Sequence, residues 1–112
     1  MGYRTADKED VDSLVDPEYG GMWMLRDVLG CERLGVSIIE LEPGGKGKPH
    51  DHADDGHEEV YLVVAGEPDV DVDGEGTVTL GPDEAVRIPP AQSRQLVNRG
   101  EGRTKVVVAG AD

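Results

Sequence analysis

The chain has no phenylalanine and only four aromatic residues in all, Tyr3, Tyr19, Trp23 and Tyr61. Its core must therefore be packed by Val, Ile, Leu and Met, and so few aromatics argue against a stacking platform for single-stranded nucleic acid. A single cysteine, Cys31, rules out an internal disulfide framework and a cysteine-based zinc site, and reads as an ordinary buried thiol. The longest apolar runs, such as Val60 to Ala65, fall far short of the roughly 18 residues needed to cross a bilayer, so no membrane span is expected. Residues 1–10 are charged and polar without an apolar stretch, which leads us to expect no secretory leader and a cytoplasmic setting.

Positive charge is scarce as well. Eleven Lys and Arg stand against 24 Asp and Glu, giving a formal net charge of −13, and the only lysines are Lys8, Lys46, Lys48 and Lys105. Nucleic acids are poor partners for such a chain, because binding them needs a positive footprint that releases counterions. The acids are spread along the sequence rather than gathered in a tail, the pattern of a solvated surface whose self-repulsion is screened at high salt. This acidic protein is expected to come from a salt-adapted, halophilic host.

The 112 residues, 37% of them hydrophobic, fit one domain with a core of its own. Sixteen Gly and seven Pro divide short stretches rich in Val, Ile and Leu, an all-β cadence. Residues 1–20 read as an irregular N-terminal arm or edge element, and residues 21–112 as the barrel domain. Strands are expected over Met22 to Asp27, Glu32 to Glu42, Glu58 to Ala65, Asp69 to Asp73, Thr77 to Leu80, Glu84 to Ile88, Gln95 to Asn98 and Thr104 to Ala109, about eight or nine in all. In Asp69-Val70-Asp71-Val72-Asp73 the valines fall on one face and the acids on the other, and Asp73-Gly74 marks a hairpin tip. An antiparallel barrel or two-sheet jelly roll best accommodates so many short strands and edges.

All three histidines lie in one segment, His50-Asp51-His52-Ala53-Asp54-Asp55-Gly56-His57, followed by Glu58-Glu59. In an extended strand residues i and i+2 share a face, so His50 and His52 can point inward together. Glu59 can add a carboxylate from the next strand, and His57 shares its parity. Asp51, Asp54 and Asp55 read as solvated loop acids, and Trp23 as core or dimer interface. A mixed nitrogen and oxygen donor set favours Zn, Fe, Mn, Ni or Cu over Ca or Mg, without choosing among them.

Gly44, five residues, then His50-Asp51-His52, and Glu59, six residues, then Gly66 form a spaced pattern. The run Gly81 to Asn98, with a strand ending in Pro89 and a short loop before Arg94, forms a second. Together they resemble the two motifs of the cupin superfamily, in its small single-domain, conserved-barrel form. The resemblance implies a double-stranded β-helix, or jelly-roll barrel, often a homodimer. It also implies a metal site at His50, His52 and Glu59, in a superfamily ranging from dioxygenases and isomerases to sugar binding and seed storage. Two departures stand out. Six residues separate His52 from Glu59 where the family has three or four, and Arg94 stands where the family has a metal-binding histidine.

A guanidinium cannot ligate a cation. Three arrangements follow: metal held by His50, His52 and Glu59, with His57 as a replacement ligand and Arg94 turned to an anionic substrate; no metal, with Arg94 paired to Glu59 or to a ligand's carboxylate or phosphate; or histidines that are simply hydrogen-bonded near the surface. Tyr61 and Gln92 are further candidates to touch a ligand. The sequence thus supports a metal-dependent, dioxygenase- or isomerase-like enzyme that acts on or binds a small molecule, an anionic one included, or a non-catalytic, metal-free small-anion or sugar binding module using Arg94. Nucleophilic hydrolysis is disfavoured, since Ser13, Ser37 and Ser93 occupy no nucleophile elbow and Cys31 has no evident base.

Overall fold

A computed structural model describes residues 2–112; Met1, at the tip of the expected arm, lies outside them. Among the described residues there are eight strands: β1 (Gly20–Met24), β2 (Gly35–Leu41), β3 (Glu58–Ala65), β4 (Asp69–Val72), β5 (Gly76–Thr79), β6 (Ala85–Ile88), β7 (Arg94–Val97) and β8 (Thr104–Ala111). They form two antiparallel sheets, one ordered β1-β2-β8-β3-β6 and the other β5-β4-β7. The all-β jelly roll is the architecture expected from the strand cadence.

Alternation decides which residues lie between the sheets. On β3, Tyr61 and Val63 are buried while Val60, Leu62 and Val64 face outward. Val106 and Val108 of β8, Leu41 of β2 and Ile88 of β6 meet Val70 of β4 and Leu96 of β7 in one aliphatic core. The valine and aspartate alternation behaves as its period requires: Val70 is buried, while Asp69 and Asp71 accept hydrogen bonds from the Thr79 and Thr77 hydroxyls and from Arg99.

Several strand ends shift from expectation: Glu32 to Glu42 shortens to Gly35–Leu41, and Thr104 to Ala109 extends to Ala111. The strand expected over Met22 to Asp27 begins at Gly20 and ends at Met24, because a single helical turn, α1 (Arg26–Leu29), follows it. Gly30 closes that turn at φ 71°, a left-handed conformation that glycine adopts without a Cβ penalty. The His50 to His52 segment is not a regular strand. It runs beside β7 through two isolated bridges, Lys46 to Val97 and His50 to Arg94, with backbone hydrogen bonds from Gly47 to Leu96 and, in both directions, between His50 and Arg94. Cys31 is half-buried rather than buried, and Trp23 lies outside the core cluster, its ring under the Lys8 ammonium at 4.3 Å.

The N-terminal segment is held to β1 by the Ser13 hydroxyl, which accepts the Met22 N–H, and by the Leu14 N–H, which donates to the Met22 carbonyl. Lys8 adds an ion pair to Glu40 at 2.7 Å.

Asn98, 1% exposed, ties the crossing together. Its Nδ2 donates to the carbonyls of Leu41 and Gly102, and its Oδ1 accepts the Gly100 N–H. Since each buried polar group stripped of its partner costs about 1–3 kcal/mol, Asn98→Ala is expected to lower the unfolding free energy by about 3 kcal/mol in urea titrations. An unmoved midpoint would show these bonds to be replaceable by water.

Candidate metal centre and cavity

Glu59 enters the interior from β3, on the same face as Tyr61, and its carboxylate is 15% exposed. Room for it is made by Gly110, its register partner on β8, where an added Cβ would lie 2.9 Å from the Glu59 Cγ. Opposite, the bridge to Arg94 places His50, and the His52 N–H donates to the Pro90 carbonyl at 2.7 Å. The Nε2 atoms of His50 and His52 lie 3.7 and 3.2 Å from the same carboxylate oxygen, Glu59 Oε1.

The protons on these rings are fixed by their neighbours. His50 Nδ1 is 2.9 Å from the Lys48 carbonyl, and His52 Nδ1 is 3.0 Å from the Asp55 carboxylate. Both partners can only accept, so each neutral ring carries its proton on Nδ1 and turns a bare Nε2 lone pair inward. Two imidazole lone pairs and a carboxylate oxygen therefore converge. His52 Nε2 and Glu59 Oε1 are buried without a hydrogen-bond partner, and the 3.2 Å between them lacks hydrogen-bond alignment. Buried acceptors facing one another are unfavourable unless a cation lies between them. The donor set thus fits a divalent transition metal bound by two nitrogens and one oxygen, with coordination positions left open.

Asp55, which read as a solvated loop acid, orients the His52 ring. The His57 N–H and then the His52 ring, both donating to it, hold its carboxyl below the usual range. Only its place three residues after His52, in the turn that lengthens the histidine loop, hints at this. Gly110 and the two cavity lysines also went unread, since their roles depend on long-range register.

His57 stacks on His52 with centroids 5.8 Å apart and sits 3.6 Å from Asp55. It forms a second cluster with those two residues, which shares His52 with the His50, His52 and Glu59 group. Tyr61 is buried beside Glu59; burial first, and then the carboxylate, push its phenol up, so it is a neutral hydroxyl at physiological pH. Gln92 lines a different, smaller cavity with Val72, Val86 and Ile88. Arg94 is 1% exposed. Its Nη2 donates to the Pro89 carbonyl and its Nη1 lies 3.9 Å from Glu59 Oε1, leaving Nη1 and Nε without hydrogen-bond partners. It is absent from the lining of the histidine cavity and instead lines a separate groove with Asp71, Asp73 and Gln95, its guanidinium facing Glu59 from within the core.

The histidines and Glu59 open onto a cavity of about 630 Å³. Its walls are mostly aliphatic: Leu14 and Val15 from the N-terminal segment, Met22 and Met24 from β1, and Ile39 and Leu41 from β2. Lys46 and Lys48 stand at its edge.

A jelly roll with an interior His-His-Glu group defines a class of barrel proteins, and residues 37–110 match the family model described as Cupin domain. The chain belongs to that family, Cupin_2. No curated protein matches it. Among solved structures it is similar to a cupin-superfamily sugar phosphate isomerase from Silicibacter pomeroyi, at 23% identity and a TM-score of 0.78 over 97% of this chain and 76% of that one. It is also similar to a protein from Thermus thermophilus, at 26% identity and a TM-score of 0.75 over 96% and 95% of the two chains. A third is the polyketide cyclase RemF from Streptomyces resistomycificus, at 22% identity and a TM-score of 0.77 over 96% and 78%. Names so varied show a shared fold and no shared reaction.

Arg94→Met removes the one cation that, among the described residues, faces Glu59 from inside the core. The variant is expected to lose about 3 kcal/mol of stability at pH 7, because a half of a buried ion pair is left uncompensated. Much of that loss should return in Arg94→Met/Glu59→Gln, whose amide needs no counter-charge. Equal stabilities of the two variants in denaturant titrations would show that the ions do not interact.

Proposed function

We propose that the chain is a metal-dependent cupin that holds one divalent transition metal at His50 Nε2, His52 Nε2 and Glu59 and acts on a small, anionic molecule in the adjoining cavity. The observation that carries this reading is the convergence of three lone-pair donors, two of them buried and unpartnered. A metal there supplies Lewis acidity or, if redox-active, dioxygen activation, in the manner of isomerase- or dioxygenase-like chemistry. The chain's own residues do the rest. Asp55 and the Lys48 carbonyl keep the Nε2 lone pairs pointed inward, Tyr61 offers a neutral hydroxyl beside Glu59, and the aliphatic walls offer surface to an apolar part of the substrate. His57 is not counted as a ligand, since it faces Asp55.

The alternative, a metal-free anion or sugar binding module built on Arg94, has less support, because that side chain is fully buried and lies outside the lining of the histidine cavity. Elemental analysis of untagged protein separates the two. The wild type is expected to carry one zinc, iron, manganese, nickel or copper ion per chain, and His50→Ala/His52→Ala none. Metal retained in the variant, or lacking in both proteins, would sink the ligand assignment.

We further propose a cytoplasmic homodimer from a salt-adapted cell, closed through the outer face of the five-stranded sheet. In register across all five strands, Trp23, Ile38, Val107, Leu62 and Ala85 form one apolar row on that face. Val60 and Val64 extend it on β3. Burying such a row favours pairing, while two copies at −13 each repel at low ionic strength. Sedimentation equilibrium is expected to show a dimer at micromolar protein in molar salt and dissociation in dilute buffer. A monomer in both would remove the proposal.

A further inference from the structure

The cavity's lining shows what shape and charge of ligand it suits. Leu14 is 66% and Met24 50% exposed although both line it, so apolar surface is left at the mouth for a ligand to cover. Deeper in, Ile39, Leu41, Leu96 and Val108 continue the aliphatic wall down to the His50, His52 and Glu59 group. Two methionines, Met22 and Met24, give that wall an adaptable surface.

The charge of this lining opposes that of the molecule. Of the chain's 24 acids only Glu59 faces the cavity, whereas two of the four lysines, Lys46 and Lys48, do. Among the described residues neither lysine forms a salt bridge, in contrast to Lys8, Arg87, Arg99 and Arg103, and Lys46 feels only the more distant Asp71 carboxylate. In a protein at −13, an apolar cleft bordered by two lysines that form no salt bridge, with Glu59 as the one acid among its lining, sets positive charge beside a hydrophobic wall.

We infer that the ligand is an amphipathic monoanion, an organic acid with one carboxylate-like head and an aliphatic or aryl body. The head is received between the lysines and the His50, His52 and Glu59 group, and the body lies along Leu14, Met22, Met24 and Ile39. This rests on the reading of that cavity as the substrate site and narrows it. Small polar dianions and sugars leave the aliphatic wall uncovered and are poor fits.

Calorimetric titration of the purified protein with hexanoate, octanoate, octan-1-ol and succinate tests this, with metal content measured on the same samples. Octanoate is expected to bind one per chain and about fifteenfold more tightly than hexanoate, since each buried methylene contributes about fourfold. It should exceed octan-1-ol by about tenfold or more, the strength of hydrogen bonds to a charged group. In Lys46→Glu/Lys48→Glu, two exposed substitutions, the preference for octanoate over octan-1-ol should vanish while octan-1-ol binding persists. Succinate binding as well as octanoate, no gain with chain length, or indifference to the lysine reversal would each overturn the inference. Stoichiometric metal with no binding of the monoacids overturns it and leaves the metal reading intact. Lysine-dependent octanoate binding in a protein that carries no metal supports it and removes the metal reading instead.

Discussion

Burying Arg94 takes a guanidinium out of water, and the interior depends on having a carboxylate to set against it. Glu59 is that carboxylate, 3.9 Å away and seated over Gly110. The same arginine's backbone exchanges two hydrogen bonds with His50. One residue therefore fixes the histidine segment by its main chain and balances the acid beneath it by its side chain. The histidines, the acid and the buried cation are held as one unit, so little reorganisation is required when a cation is taken up. A cation at that position shares Glu59 with Arg94, which sets a ceiling on how strongly the carboxylate can be drawn to either.

Much of this architecture was legible in the residues and some was not, for physical reasons. Glu58 to Ala65 gave its strand at both ends because it is a long β-branched run stopped by a glycine. Arg26–Leu29 escaped notice because four residues carry no helical period and Gly30 reads as a turn in any fold. The pairing of His50 and His52 with Glu59 followed from spacing and family resemblance. The two isolated bridges that replace a regular strand there did not, since Gly47 and Pro49 leave the pattern ambiguous. Asp55 and Gly110 read as a loop acid and a punctuation mark. What they do is set by which atoms stand opposite them, His52 Nδ1 and the Glu59 Cγ, and no local pattern encodes that. Gln92, placed by motif beside Arg94, turns to another part of the barrel.

The composition, uniform along the sequence, is not uniform over the surface. The three-stranded sheet turns Asp69 and Asp71 outward, where Arg99 grips both and its hydrogen bonds hold the Asp71 carboxyl down to about 2. The five-stranded sheet turns aliphatic side chains outward instead, with Glu40 masked by Lys8 and Arg103. Segregation of this kind follows from alternation on strands whose two faces meet different surroundings.

Leu14 and Val15 have a consequence for how the interior is reached. They form one side of the cavity, yet the segment carrying them is joined to the edge strand there by the Ser13 hydroxyl and one main-chain bond to Met22. Such an attachment opens at a small fraction of the free energy needed to unfold the barrel. Local opening on that side of the cavity therefore costs less than opening on any other, and it leaves every strand in its sheet.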